Sequence, residues 1–137
     1  MSVAEETLLA QLAEKGTRLR EVRRDLLRQQ PGMTQRWFQG PEGCDLFLWY
    51  RDGGGLTQVQ LTFLHRAVEW GEGEGVRTGR LLSFDPLRPM RDQARLVFDA
   101  AADAGTLRLA RALLARANVD DVTLAMVRAR LGLARPR

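Results

Sequence analysis

The hydrophobic pattern of the first thirty residues is helical. Ser2 suits an N-cap, Glu5 occupies the matching capping-box position, and Pro31 follows the segment. Apolar residues recur at helical spacing, and three of them lie seven residues apart, namely Leu12, Leu19 and Leu26. The pattern predicts a helix from Ser2 to Gln30. Gly16 weakens a helix interior by up to ~1 kcal/mol relative to alanine, so a bend or two shorter helices is the alternative.

From Met33 onward the period of the pattern changes from 3.6 to two. It predicts strands at residues 35–39, 45–51, 56–63, 67–70 and 76–83, separated by turns that contain glycine. The strand DLFLWYR at 45–51 is apolar on both faces, which is typical of a central strand covered on both sides. The strand LTQVQLTF at 56–63 alternates: Val59, Leu61 and Phe63 point one way and Gln58, Gln60 and Thr62 the other.

Beyond Asp85 the helical period returns. It predicts helices at 89–105, at 106–118 with Thr106 as the cap, and at 119–132 with two aspartates in the first turn. The fold class is therefore α+β: an N-terminal helix, an antiparallel meander of three to five strands and a C-terminal three-helix segment. We expect one domain, with a helix at 1–32, the meander at 33–84, a helical unit at 85–133 and a tail at 134–137.

Composition places the chain among ordinary globular proteins. It has 137 residues, of which 45% are apolar and 28% charged. No apolar run approaches the roughly 20 residues that cross a bilayer, and the acidic start MSVAEETLLA does not fit a secretory signal. Cys44 is the only cysteine, so no internal disulfide is available. We expect a cytoplasmic protein.

The net charge of +4 comes almost entirely from arginine, since Lys15 is the only lysine. Arginines cluster on the predicted helices in three groups: Arg18, Arg20, Arg23, Arg24 and Arg28; Arg108, Arg111 and Arg116; and Arg128 and Arg130. Each group is interpreted first as a solvated helical face, because acids are interspersed with the basic residues. If the groups form one surface, they bind a phosphate backbone or an acidic partner.

Aromatic residues concentrate on the predicted strands. Seven of the nine lie there: Trp37, Phe38, Phe47, Trp49, Tyr50, Phe63 and Trp70. Cross-strand aromatic pairs stabilise a sheet by about 0.2–1 kcal/mol each, so folding alone accounts for the concentration. The alternative is that Trp37 or Trp49, with Arg36 and Arg51 nearby, forms a stacking platform on an exposed sheet face.

The layout of the strands also resembles a known group. RWF, DLFLW, a glycine turn, QLTF and VEW, between Arg36 and Trp70, are similar to the layout of short uncharacterised bacterial proteins. The resemblance covers a quarter of the chain and implies a helix-flanked antiparallel sheet. It implies no catalytic residue.

Catalytic chemistry has few candidates. His65 is the only histidine and falls in a predicted turn, and Cys44 precedes a strand without a certain base beside it. One histidine and one cysteine do not make a zinc site without several carboxylates. The loop GEGEG at 71–75 carries acids that would repel a phosphate. We therefore expect no enzyme activity, no cofactor and no metal.

The remaining hypothesis is an interaction protein. We expect a non-catalytic adaptor or chaperone-like module that binds another protein or a second copy of itself, with no role at a membrane. Its expected surface is the polar side of the third strand, Gln58, Gln60 and Thr62, with Arg36 and Arg51. The alternative is a nucleic-acid or anion binder that uses arginine-rich helical faces, including Arg20 and Arg24. An enzyme is the third hypothesis, and a deep pocket that holds Cys44 and His65 together would support it.

Overall fold

The computed structural model describes residues 2–27, 30–82 and 95–133 of the chain and shows an α+β fold. Three α-helices accompany one sheet: α1 (Val3–Thr17), α2 (Ala104–Leu114) and α3 (Asp121–Arg130). Single 3-10 turns lie at Arg24–Leu26 and Pro41–Gly43. No helix within the described ranges is long and apolar enough to cross a membrane.

The sheet has seven strands, all antiparallel and arranged in chain order. Their bounds are β1 (Arg20–Glu21), β2 (Met33–Gln39), β3 (Asp45–Arg51), β4 (Leu56–Phe63), β5 (Arg66–Gly71), β6 (Gly75–Leu82) and β7 (Arg95–Phe98). The expected number of three to five strands is too low, because the sequence pattern revealed neither β1 nor β7.

The core lies between one face of this sheet and the helices. Alternate strand residues such as Leu48, Leu61 and Val68 are fully buried, and they cluster with Leu12 of α1 and Leu113 of α2. Strand residues at successive positions point to opposite faces. The predicted alternation in β4 is confirmed, since Val59, Leu61 and Phe63 are buried in the core and Gln58, Gln60 and Thr62 are not.

The predicted helix from Ser2 to Gln30 is wrong beyond Thr17. The helix ends where it meets Asn118, a residue that follows α2. Asn118 donates from its backbone N–H to the Gly16 carbonyl (3.0 Å) and from its side chain to the Leu19 carbonyl (2.8 Å). The next residues pair with β2 as β1. Leu26, which continued the seven-residue spacing, is 69% exposed.

The C-terminal three-helix prediction is also wrong in part. The described residues of this region hold two helices, and β7 occupies positions predicted to be helical. Phe98 pairs with Gly79, where an added Cβ would lie 2.7 Å from the Val97 carbonyl oxygen, so the close approach of β7 to β6 requires glycine. The predicted helix residues 89–94 and the predicted tail, 134–137, lie outside the described residues.

The N-terminus of α2 is docked on the sheet by an arginine. Asp103, not Thr106, is its N-cap; its carboxylate accepts from the backbone N–H (2.9 Å) and hydroxyl (2.7 Å) of Thr106. Arg66 on the core face of β5 donates to the same hydroxyl (2.9 Å). The cap therefore joins the helix to the strand as well as satisfying a free backbone N–H.

The N-terminus of α3 uses the same arrangement. Asp120 caps the helix and accepts from the N–H (3.2 Å) and hydroxyl (2.6 Å) of Thr123, and Arg36 of β2 donates to that hydroxyl (3.0 Å). Arg36 also donates to Asp120 (3.1 Å) and, through two nitrogens, to Glu21 of β1 (2.9 and 2.8 Å). One guanidinium therefore links two strands to a helix.

The carboxylates of Asp120 and Glu21 make the stability of the fold depend on pH. The pKa of Asp120 is lowered chiefly by the Thr123 hydroxyl, and that of Glu21 by its hydrogen bonds from Arg36. A carboxylate with a lowered folded pKa stabilises the fold above its unfolded pKa, about 3.9 for aspartate, and this stabilisation disappears as the pH falls through the folded value. The gain is therefore full at neutral pH and lost in acid.

Asp120→Asn should test this dependence, because asparagine still caps a helix but carries no charge. We expect the variant to be less stable than the wild type at pH 7 and the difference to shrink as the pH falls below ~4. Urea denaturation at several pH values measures it. A difference that stays constant down to the lowest pH at which the protein folds would contradict the assignment.

Candidate functional site

The candidate site is the sheet face that points away from the helices, called here the open face. Its members are the strand residues that alternate with the core positions: Trp37, Phe47, Trp49, Gln58, Gln60, Thr62, Glu69, Arg77 and Phe98. None of them belongs to the core cluster, to which all three helices contribute. Among the described residues, helices cover the other face only, so the expected cover on both sides of β3 is not found.

Three aromatic rings form a cluster on the open face. Trp37 of β2 lies directly across from Phe47 of β3, and their ring centroids are 5.5 Å apart at an interplanar angle of 19°. Trp49, two residues along β3, lies 5.9 Å from Phe47 at 23°. The rings are half-buried, and such offset pairs are worth about 0.5–1.5 kcal/mol beyond their buried area. They stabilise the sheet and also present an aromatic surface.

The two indole N–H groups differ. Trp37 donates to the Asp45 carboxylate (2.8 Å), which fixes that ring. Burial raises the pKa of Asp45, and the Trp37 hydrogen bond partly offsets this. The indole N–H of Trp49 has no hydrogen-bond partner among the described residues and its nitrogen is not sealed from solvent, although the Trp49 backbone carbonyl accepts from the Thr57 hydroxyl. Trp49 is therefore a donor available to a ligand.

A polar row continues from the rings across the sheet. Phe47 lies opposite Gln60, which lies opposite Glu69, which lies opposite Arg77. Glu69 is buried, accepts a hydrogen bond from Gln58 and lies 3.8 Å from Arg77. Gln58 supplies a hydrogen bond and Arg77 an opposite charge, the two kinds of partner that a buried carboxylate requires.

At its far end the row terminates in a cation over an aromatic ring. The guanidinium carbon of Arg77 lies 3.9 Å from the centre of the Phe98 ring, and its terminal nitrogen contacts Glu74 (2.8 Å). The Nε of Arg77 is buried without a hydrogen-bond acceptor in the described part of the chain. Its charge is used within the protein and is poorly placed to bind an external anion.

The residues predicted to form the interaction surface do not all meet. Gln58, Gln60 and Thr62 share the open face, and Arg51 stands exposed at the end of β3, paired with Glu72. Arg36 is on the core side, because it is paired with core-facing Leu48. The grouping of Arg36 with the polar side of β4 is therefore wrong, and its contacts give it a structural role.

The arginine-rich face predicted for the N-terminal helix is not on that helix, because α1 ends before these arginines. Arg18 and the following arginines come after the end of α1; Arg20 lies on β1 and Arg24 in a 3-10 turn, 3.4 Å from Glu21. Arg28 lies outside the described residues. Arg116 likewise follows α2 and is not part of it.

Most described arginines contact a carboxylate. Ion pairs are made by Arg18, Arg23, Arg24, Arg36, Arg51, Arg66, Arg77 and Arg108. Arg128 donates to the last carbonyls of α2, and Arg130 lies 5.2 Å over the ring of Trp70. Pairing of this kind reduces the local positive potential that a phosphate backbone requires.

The two candidate catalytic side chains differ in surroundings. Cys44 is buried, and burial raises the pKa of its thiol, which leaves less of the nucleophilic thiolate. His65 is exposed in the turn between β4 and β5, as expected from the sequence. Within the described ranges, no three His, Cys, Asp or Glu side chains are grouped as a metal site would require.

Sequence reasoning missed Glu69, Arg77 and Phe98 as members of the site. The alternation along AVEWG (67–71) and GVRTG (75–79) indicates that Glu69 and Arg77 share one face, so these two residues could have been predicted. The sequence pattern predicts a helix at Phe98 and therefore does not indicate its position on a strand. Comparison of the chain with protein-family models, curated proteins and solved structures finds no match, so the resemblance through residues 36–70 stays a prediction.

Proposed function

We propose that this protein is a non-catalytic binding module that recognises another protein through its open face, as an adaptor or a chaperone-like factor does. The aromatic cluster formed by Trp37, Phe47 and Trp49 carries the proposal. It is half-buried, lies outside the core cluster and faces away from the described helices. Aromatic side chains are enriched at interface centres, where they contribute most of the binding energy.

The surroundings of the aromatic cluster support this function. The side chains of Gln60 and Thr62 make no hydrogen bond with the described residues, so their polar groups are available beside the rings. An aromatic centre flanked by uncharged polar groups is the composition of a protein interface. The alternative, nucleic-acid binding through arginines, receives less support because the charges of Arg51 and Arg77 are already paired on this face.

Phe47→Ala tests the proposal, with Val122→Ala as the matched control. Val122 is an apolar residue on α3 that is 80% exposed, and α3 packs on the other face of the sheet. Loss of a central aromatic at an interface costs 2 kcal/mol or more, roughly a thirtyfold loss of affinity. We expect the wild type and the control to retain the same partner, or a second copy, and Phe47→Ala to lose it.

The measurement combines quantitative affinity capture from extracts of the source cells with light-scattering mass at low and at ~0.5 M salt, where exposed charges are screened. The 260/280 nm absorbance ratio reports co-purifying nucleic acid. Equal retention by Phe47→Ala and the control would contradict the proposal. So would nucleic acid that accompanies the protein and leaves it at high salt.

A further inference from the structure

The last strand of the sheet, β7, has one unpaired edge within the described part of the chain. It is bonded to β6 on one side, and no described strand lies on its other side. Natural sheets protect such an edge with charged residues, a proline or a β-bulge. β7 has no proline and no bulge, and its only charged residue is the first, Arg95. The edge is therefore suited to pairing with another strand.

The hydrogen-bond pattern shows which backbone groups of β7 face outward. The Asp99 N–H donates to the Thr78 carbonyl (2.8 Å), which extends the pairing of β7 with β6 by one residue. Bonded positions alternate along an antiparallel pair, so Val97 also bonds to β6. Leu96 and Phe98 therefore direct their N–H and C=O groups away from β6. Each of these two residues offers a donor and an acceptor to an added strand.

Exposed apolar side chains accompany this edge. Val97 is 49% exposed, and Leu82 at the end of β6 is 47% exposed. The two share a face of the sheet, because Val97 pairs with Arg80 and Leu82 follows Arg80 by two residues. A strand added beside β7 would remove Val97 from water, which favours association.

The sequence of the edge is complementary to itself. Residues 95–99 read RLVFD, with a basic residue at one end, an acidic residue at the other and three apolar residues between them. When two copies run antiparallel with Val97 opposite Val97, the basic end of each lies opposite the acidic end of the other. The same register places Leu96 opposite Phe98, the two residues with outward backbone groups. Charge and hydrogen bonding therefore favour the same alignment.

We propose that two copies of the chain pair through β7 as an antiparallel dimer, with Val97 at the two-fold axis and the two sheets continuous across it. A two-fold interface requires a surface that complements itself, which the sequence of residues 95–99 provides. Two short strands bury little area, so we expect a weak dimer with a dissociation constant of about 0.1 mM. The inference is separate from the proposed function, because the aromatic cluster lies on β2 and β3.

The test measures the mass of the full chain by light scattering at concentrations from about 10 μM to about 1 mM, where the mass should rise toward that of a dimer. Val97→Lys places two positive charges opposite each other at the axis and should raise the dissociation constant about tenfold. Val97→Thr remains β-branched and uncharged and should change it by less than about threefold. Val122→Lys, at an exposed position of α3, is the matched control and should leave it unchanged.

A mixture of two variants tests the register. Arg95→Asp and Asp99→Arg each place like charges opposite one another in a homodimer, so each should be largely monomeric. Mixed in equal amounts, they place opposite charges together at both ends, and the dimer should return. Amide hydrogen exchange adds a second readout. Exchange at the Leu96 and Phe98 N–H groups should slow as the concentration rises, whereas the Val97 N–H, which faces β6, should not respond.

The inference is overturned by a wild type that stays monomeric up to about 1 mM, by Val97→Lys dimerising as tightly as the wild type, or by a mixture of the two folded charge variants that stays monomeric. Exchange at Leu96 and Phe98 that does not depend on concentration would overturn it as well. Phe47→Ala should keep this dimer. Capture of a different protein then tests the open face, so failure of the dimer and failure of the proposed function are distinguishable.

Discussion

Gly16→Ala is expected to lower the free energy of unfolding by about 3 kcal/mol, although the same change in an open helix is stabilising by up to ~1 kcal/mol. The reason is the contact between α1 and α2. A Cβ on Gly16 would lie 1.9 Å from the carbonyl oxygen of Leu113 and 3.1 Å from its carbonyl carbon. Both atoms are backbone, so no side-chain rotation relieves the overlap, and the helices must separate.

Gly105→Ala is the matched control for this prediction. Gly105 is also a helical glycine, but an added Cβ would meet only the Asp103 carboxylate, at an ordinary 3.5 Å. We expect this variant to be as stable as the wild type or slightly more stable. Urea denaturation followed by circular dichroism compares the three proteins. If Gly16→Ala proved as stable as Gly105→Ala, the packing of α1 on α2 described here would be wrong.

Gly16 also shows where local reasoning fails. Its position in the sequence predicts a weak point in a long helix, with two shorter helices as the alternative. The structure gives a different reason for a glycine at this position, which is its close approach to Leu113, far away in the sequence. The Gly16 carbonyl also accepts a hydrogen bond from the backbone N–H of Asn118. Helix propensity measures only local terms, so it could not locate the end of α1 at Thr17.

The strands were more predictable than the helices around them. The bounds of β3 and β4 agree with the predicted segments at 45–51 and 56–63, because both carry strong β-forming residues between glycine turns. β7 has only four residues, and a short apolar run of this length is equally compatible with either element. Its strand state depends on pairing with β6.

The candidate site could be predicted in composition but not in geometry. The tryptophans on strands and the polar side of β4 are visible in the sequence. The absence of described helices from the open face depends on where α1, α2 and α3 pack, and no local pattern specifies that. Alternation along RWF could have separated Arg36 from Trp37, because adjacent strand residues face opposite ways.

Arg36→Met is the second large effect that we expect, a loss of about 2 kcal/mol in the free energy of unfolding. The side chain is only 13% exposed, and its removal leaves two carboxylates, those of Glu21 and Asp120, without this partner. Breaking a buried ion pair costs about 3–5 kcal/mol. The smaller value is expected here because the carboxylates are partly solvated and Arg24 remains near Glu21.

Arg51→Met separates this structural role from a surface role. Arg51 is exposed and pairs with Glu72 at the end of β3, so its loss should change stability by no more than ~0.5 kcal/mol. Arg36→Lys, which keeps the charge but not the planar fork, should fall between the wild type and Arg36→Met. Amide hydrogen exchange provides a specific readout: Arg36→Met should speed exchange at the Thr123 N–H, which Asp120 accepts. Equal losses in Arg36→Met and Arg51→Met, with unchanged exchange at Thr123, would show that Arg36 does not dock α3 on the sheet.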